Sequence, residues 1–559
     1  MSIENKTINP KPWLEHYDVH VPPSLIYPQI SMVDLLKNST RDFHDKTCLN
    51  FEDLEFTYQD VNRLSDRLAA GLIHFGIRSG DRVGIALPNS PQFVIAYFAI
   101  LKAGAIVVAI NPNYRPREIV DMVNSSQVEV LFYSGEKICE IEEVKEKSCL
   151  KKIVKCQKKN LDWLKKHEFP KKKMVNSKPQ DHLDLKDLYQ FKEENEKFPA
   201  ILPENPAIFQ YTGGTTGTPK AAIGLHCNLV ANTTQFITWC DLKPGEETVL
   251  AAIPLYHVYG MVLALCLGIA LGARIILISN PKEIEKILQS IEKYHVSFFP
   301  GVPSLYYAIN QNPDVKNRIF DLHSIKVCIS GSAPLHLDIK NTFESLTGGK
   351  LMEGYGLSEA PTATHCNPMY GDNRTGSIGL PLPDVECQVV KIEDDEKIVG
   401  VGQIGELLIK GPQVMWGYHR DALESEQILH NGWLHTGDII RMDADGYFYV
   451  IDRKKSLIKV SGFQVWPNEV EQVIATHPAI QEVGVGGVPD QAHGEKVIAW
   501  VVVKPGEQTD KKSLIEWCRI NLAAYKIPSE LYFIKEIPKT SLGKILRREL
   551  IHQYIENQK

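Results

Sequence analysis

The chain predicts an α/β protein: a large first part holding two or more sheets, followed by a small α+β unit. Three observations lead there. A length of 559 residues exceeds what one compact core organises. Apolar helical stretches alternate with short β-branched runs as far as about residue 334, the order that builds parallel sheets covered by helices. From about residue 376 the texture changes to short strand-and-turn pieces, and past residue 456 a compact α+β pattern of about 100 residues remains.

The elements follow in order. RVGIALP (82–88) reads as a strand, FVIAYFAIL (93–101) as an apolar helix, and AIVVAINP (105–112) and EVLFYS (129–134) as further strands. RIILIS (274–279), VSFFPG (296–301) and KVCISGSAP (326–334) resume the alternation, giving more strands than one small sheet holds. Met261 to Ala273, MVLALCLGIALGA, is the longest apolar run, too short for the ~20 residues that cross a bilayer. It is expected to be a buried core helix, packing the interior or walling a long apolar channel. ECQVVKI, GELLIKG and GYFYVID are the strands of the later region. The glycines at 400, 402 and 405 satisfy G-x-G-x-x-G, but DDEKI precedes them and a strand follows, so they form a turn between strands and no dinucleotide site.

Composition excludes several functions. With 62 Lys and Arg against 68 acidic residues the formal charge is −6, leaving no basic field for nucleic acid. Eleven cysteines, from Cys48 to Cys518 without a C-x-x-C pair, form neither a disulfide framework nor a zinc site, which points to a reducing, intracellular compartment. The first residues, MSIENKTINPKPW, lack the apolar core of a secretory signal. A cytoplasmic enzyme is expected, with any membrane contact peripheral and at an inner face. Residues 141–180 hold 13 Lys, no Arg and five acids. The first reading of that segment is a solvated surface excursion; the second is a patch that attracts anionic lipid head groups.

The sharpest chemical signal is YTGGTTGTPK, Tyr211 to Lys220. Its glycines (Gly213, Gly214, Gly217) admit positive φ and close backbone approach, its threonines (Thr212, Thr215, Thr216) offer hydroxyls, and Lys220 adds a cation. It is a loop built to hold phosphates. It is not a Walker A motif, because Thr218 and Pro219 separate Gly217 from the lysine.

Together with EGYGLSE (353–359), GWLHTGDI (432–439), DRKKSLIKVSGFQVWPNEVE (452–471) and PKTSLGKILRREL (538–550), this loop resembles the adenylate-forming acyl-CoA synthetase superfamily, motif by motif and in the same order over nearly the whole chain. KPWLEHYDVHVP, ILKAGAIVVAINPNYRPREI and GSIGLPLPD look most like its bacterial long-chain fatty-acid-CoA ligase branch. The resemblance implies an N-terminal adenylate-forming domain over 1–454 and a mobile C-terminal domain over 455–559. It implies ATP, coenzyme A and Mg²⁺ as co-substrates and metal. It also implies two half-reactions, carboxylate attack on the α-phosphate of ATP and then thiol attack on the acyl-adenylate.

By the same resemblance, Thr212 to Lys220 cradle the β- and γ-phosphates, and Thr212 and Glu359 bind Mg²⁺. Gly331, Ser332 and Ala333 form one adenine wall, and Tyr355, between Gly354 and Gly356, stacks on the base. Ser358 stands where the family usually has Thr. Asp438 and Arg453 take the ribose. Tyr256, His257 and Val258 border the acyl pocket, His257 as a shaping residue, since an ionised acid needs no base. Lys544 is the adenylation lysine. Lys459, Gly462 and Gln464 belong to the thioester-forming arrangement, with Gly462 leaving room for the pantetheine arm. Lys455 is the hinge between the two arrangements. Ala221 departs from the Gly that many relatives place after the loop lysine.

Four rivals remain at this stage. They are an aryl or short-chain acid CoA ligase, a ligase that loads a carrier protein, an oxidative light-emitting member, and a non-catalytic nucleotide sensor. The last would not need Lys544 and Lys455 together.

Overall fold

The computed structural model describes residues 11–134, 138–158, 160–166, 182–192, 196–212, 219–490, 493–540 and 543–557. Four sheets organise the described residues. An eight-stranded sheet contains Arg82–Ala86, Ile106–Ala109 and Val130–Ser134 as parallel neighbours. A nine-stranded sheet contains Thr248–Ala251, Phe298–Gly301, Val327–Ser330 and Lys350–Leu357, again parallel, with antiparallel strands at both edges. The strands read from the sequence at 82, 105, 129, 274, 296 and 326 all exist, shorter by one to five residues.

Between the two large sheets lies Pro91–Lys102, apolar on every side and buried at every residue, as a helix covered all round must be. Ser90 caps it by accepting from the Phe93 N–H, and Pro91 occupies the first turn. The 261–273 run also fills the core, and of its two expected roles it takes packing. It is not one regular helix: a short α-turn at Val258–Gly260 and one at Leu267–Ala270 flank a π-helical stretch, Met261–Cys266. Gly268 lets this helix approach the strand Arg274–Leu277, because a Cβ there would lie 2.6 Å from Ile275.

The third sheet is antiparallel and carries the later strands, Glu386–Lys391, Ile404–Lys410, Trp433–Met442 and Phe448–Arg453. The G-x-G-x-x-G stretch lies at a turn between Asp394–Ile398 and Ile404–Lys410, as expected. After a short 3₁₀ turn, Lys454–Ser456, a five-stranded sheet begins at Ile458 with its own core around Val470, Val485 and Val501. No helix among the described residues is long and apolar enough to cross a membrane.

The Lys-rich segment is partly described. Lys147, Lys151, Lys158 and Lys165 pair with Glu143, Glu129, Glu52 and Asp60, and Lys152 donates to the Phe75 carbonyl. Residues 167–181 lie outside the described residues.

Candidate active site

The nine-stranded sheet sets the site. Thr248–Ala251, Val327–Ser330 and Lys350–Leu357 run parallel, and the segments bearing His257, Gly331 to Ala333 and Tyr355 lie at or beyond their carboxyl ends. Ligands of open α/β sheets bind at that edge. Gly331 is buried against Tyr259, whose ring lies 3.2 Å from where a Cβ would stand, and the Tyr259 hydroxyl donates to the Gly301 and Ile329 carbonyls. Ser332 adopts a left-handed φ of 72°.

Tyr355 faces His365 across the hairpin formed with Ala360–Cys366, the rings meeting edge to face at 5.8 Å. The flanking glycines answer to this hairpin. A Cβ at Gly356 would lie 1.7 Å from the Thr362 carbonyl oxygen, and one at Gly354 would crowd Ile329 at 3.2 Å. Burial and the neighbouring Asp438 carboxylate hold the Tyr355 phenol well above its ordinary range, so it acts as a neutral donor. It donates to Asp438 Oδ2 at 2.5 Å. Asp438 and Arg453 are cross-strand partners, and Arg453 Nε donates to Asp438 Oδ1 at 2.9 Å. The sequence-predicted ribose pair thus forms one unit with the predicted base-stacking tyrosine.

Lys544 lies within electrostatic reach of Arg453, Asp438 and Glu359. Burial, reinforced by Arg453, pushes its ammonium down to about 8. Its backbone closes a turn with Thr540: the Thr540 N–H donates to the Lys544 carbonyl and the Lys544 N–H to Thr540 Oγ1.

On the other side, Pro206–Tyr211 and Ala221–Leu225 pair antiparallel, so the phosphate loop is a hairpin connection, closed where the Thr212 N–H donates to the Lys220 carbonyl. Gly213, Gly214, Thr215, Thr216 and Gly217 lie outside the described residues. Lys220 Nζ contacts Glu424 at 2.5 Å and lies 5.4 Å from the Tyr418 ring centre. Tyr418 in turn donates to Glu359 Oε1 at 2.7 Å. Sequence reasoning missed Tyr418. It lies in a two-residue strand, Gly417–Tyr418, paired to the exit of the loop at Ala222 and Ile223, and its one local signal is an aromatic after a glycine.

Glu359 sits with Ser358 in the turn that follows Lys350–Leu357. Among the described residues no group of three or more His, Cys, Asp and Glu could hold a metal. One carboxylate from Glu359 and one hydroxyl from the sequence-distant Thr212 are hard oxygen donors, the chemistry that suits a small cation keeping most of its ligands as water and substrate phosphate.

His257 caps the helical turn Val258–Gly260, its Nδ1 accepting from the Tyr259 N–H at 3.2 Å, and burial pushes its imidazole down to about 4. It is neutral and already hydrogen-bonded. Tyr256 and Val258 beside it are buried.

The remaining C-terminal residues are not brought to the site. Lys459 is exposed, its N–H donating to Glu495, while Gln464 Nε2 donates to Glu393 Oε1 at 3.2 Å. Gly462 stands in open space in this arrangement. A Cβ there would meet nothing within 4 Å, so crowding does not explain the glycine in this arrangement. Its φ of 84°, after Ser461 at 51°, marks the tight turn between Ile458–Val460 and Phe463–Val465, where glycine is conformationally required.

Two family models match the chain, "AMP-binding enzyme" over residues 36–419 and "AMP-binding enzyme C-terminal domain" over residues 469–544. A long-chain-fatty-acid–CoA ligase of Bacillus subtilis is 40% identical over 561 residues, covering 98% of this chain and 99% of its own. One from Escherichia coli is 36% identical over 554 residues, covering 97% and 98%. A 4-coumarate–CoA ligase of Humulus lupulus is 33% identical over 530 residues, covering 92% of each. Among solved structures, the anthranilate CoA ligase AuaEII with anthranoyl-AMP aligns with a TM-score of 0.80 at 27% identity, covering 94% of this chain and 97% of that one. ATP-bound MatB of Rhodopseudomonas palustris aligns with a TM-score of 0.83 at 25% identity, covering 95% and 100%. With its five motifs in order, its large α/β part and small α+β part, and a full-length match, the chain belongs to the AMP-binding, adenylate-forming enzyme family.

Proposed function

We propose that the chain is an ATP-dependent acid–thiol ligase that converts a medium- or long-chain fatty acid to its CoA thioester through an acyl-adenylate. The observation that carries the reading is the burial of Lys544 within electrostatic reach of the paired Asp438 and Arg453 and of Glu359, which brings a cation from the small C-terminal unit near the cluster of the large one. The full-length identity to long-chain fatty-acid–CoA ligases favours an aliphatic acid over the aryl alternative. A cytoplasmic enzyme drawing its acid from the inner face of a membrane fits this substrate.

In the first half-reaction Asp438 and Arg453 fix the ribose, Tyr355 covers the base, and the substrate carboxylate attacks the α-phosphate in line with departing pyrophosphate. The substrate is already ionised, so no base is needed, consistent with a neutral His257. Lys544 neutralises charge gathered between carboxylate and α-phosphate, and Lys220 with the loop N–H groups does so at the leaving group. Glu359 and Thr212 would hold Mg²⁺, which when bound would supply further charge neutralisation. For the second half-reaction the small unit, 455–559, turns about Lys455 and presents Lys459, Gly462 and Gln464 in place of Lys544. The exposure of those residues in this arrangement supports that exchange.

Pyrophosphate release measured over a panel of acids, with and without CoA, tests the substrate. Activity is expected to rise from acetate toward acids of about eight to eighteen carbons, since each buried methylene contributes about 0.8 kcal/mol. A preference for coumarate or benzoate over every fatty acid would overturn the aliphatic reading. Glu359→Ala is expected to lower adenylate formation by about 10², the cost of a lost transition-state contact of about 3 kcal/mol, with the unfolding midpoint retained. Unchanged turnover at saturating Mg²⁺ removes Glu359 from the metal site.

A further inference from the structure

Three residues before the hinge position, the penultimate residue of the strand Phe448–Arg453 is a buried carboxylate that no step above uses. Asp452 is 4% exposed, and its partners lie on both sides of the Lys454–Ser456 turn. Oδ1 accepts from the adjacent Arg453 N–H at 2.7 Å. Oδ2 accepts at 2.7 Å from the N–H of Asn468, in the first turn of the helix Pro467–Ala475, where backbone donors have no partner within the helix. Asn468 Nδ2 adds a bond to the Ile451 carbonyl at 2.9 Å, so one residue of the small unit grips the strand end at two points.

A second link runs to the catalytic segment. Arg547, three residues after Lys544, places Nη1 4.0 Å from Asp452 Oδ1. Its Nε and Nη2 form a bidentate pair with the buried Glu471, at 3.0 and 2.6 Å, and Glu471 Oε1 also accepts from the Val485 N–H. Two buried acids therefore share one guanidinium. Burial raises both acids, and Arg547 opposes that rise in each. A buried carboxylate stripped of its partners is costly, so this set favours the arrangement that assembles it.

We propose that Asp452 is a positioning residue, a latch that holds Asn468 and Arg547 only when the small unit is turned so that Lys544 occupies the site. The proposal rests on the two-arrangement reading given above. Asp452 stays with the large part while Asn468 and Arg547 travel with the small unit, so turning about Lys455 releases the latch. Its loss acts on adenylate formation and spares thioester formation.

The experiment compares Asp452→Asn, Asn468→Ala and Lys544→Ala in the full chain with wild type. Fatty-acid-dependent ATP–pyrophosphate exchange reads the first half-reaction. Thioester formation from synthetic palmitoyl-adenylate and CoA reads the second. Asp452→Asn keeps the shape and removes the charge, and Asn468→Ala, at a half-buried position, leaves the carboxylate in place. Asp452→Asn is expected to lower exchange about tenfold or more, the scale of losing hydrogen bonds to a charged group, and Asn468→Ala, which keeps its backbone N–H on Asp452 and loses the neutral bond to the Ile451 carbonyl, about fivefold, while thioester formation changes by less than about twofold in both. A structural role would lower both together. If Lys544→Ala separates the half-reactions and neither latch variant does, the latch is wrong and the two-arrangement reading stands. If Lys544→Ala depresses both equally, the reading itself fails and the latch with it.

Discussion

Lys544→Ala is expected to reduce acyl-adenylate formation from ATP by about 10³ or more, the upper end of what one transition-state contact supplies. The same variant should still convert supplied acyl-adenylate and CoA to thioester at near the wild-type rate. The asymmetry follows from place: Lys544 is buried within electrostatic reach of Asp438, Arg453 and Glu359, whereas Lys459 is exposed on the strand Ile458–Val460. The pH dependence offers a second check. Burial lowers the Lys544 ammonium to about 8, so in the free enzyme the cation is present below that pH and lost as pH rises through it. kcat/KM for adenylation, which reports free-enzyme groups, should fall on the alkaline side of about 8, and Lys544→Ala should lack that limb. The sign for stability is opposite. Between about 8 and the ordinary lysine range the unfolded chain binds the extra proton, so this group makes folding more favourable as pH rises. An adenylation profile flat through pH 9 in wild type excludes Lys544 as the cation that acts.

What was legible in the sequence, and what was not, divides along the range of the interactions. The strands at 82, 105, 129, 274, 296 and 326 were legible because β-branched runs between turn signals are local facts. The π-helical stretch inside Met261–Cys266 was not, since a uniformly apolar run has no periodicity to betray a change of pitch. The expectation of parallel strands held in the interior of both large sheets. It missed that the phosphate loop and Tyr355 both sit on antiparallel hairpins, because pairing direction depends on partners distant in sequence. Asp438 and Arg453 were named by motif, and the structure adds the reason: they are cross-strand neighbours. Tyr418 and Asp452 were missed, as each acts through a residue far along the chain, Glu359 for one and Arg547 for the other. Gly462 was singled out as an exceptional glycine, and the structure adds a second cause, the left-handed φ of a tight turn, which leaves the same mark in a sequence as passage for a substrate.

Lys455→Pro is expected to produce the mirror image of Lys544→Ala, with adenylate formation retained and thioester formation lowered at least about tenfold, as about 1.4 kcal/mol added to a barrier requires. Lys455 is exposed and central to the 3₁₀ turn Lys454–Ser456. A 3₁₀ turn already holds φ close to the −65° that proline imposes, so the arrangement with Lys544 in the site accepts the ring. Rotation about the same residue demands a different φ, ψ pair, and proline forbids the φ change. Lys454 Nζ pairs with Glu406 at 2.6 Å, while the Lys455 side chain is exposed, so the substitution leaves that ion pair in place. A proline also disfavours the helical region at the preceding Lys454. That cost falls on both half-reactions alike and is read from the unfolding midpoint. The decisive quantity is the ratio of the two half-reaction rates on stability-matched protein. Lys455→Pro should shift it toward adenylation and Lys544→Ala toward thioester formation, and a ratio left at the wild-type value by both variants excludes rotation about residue 455 as the step that joins them.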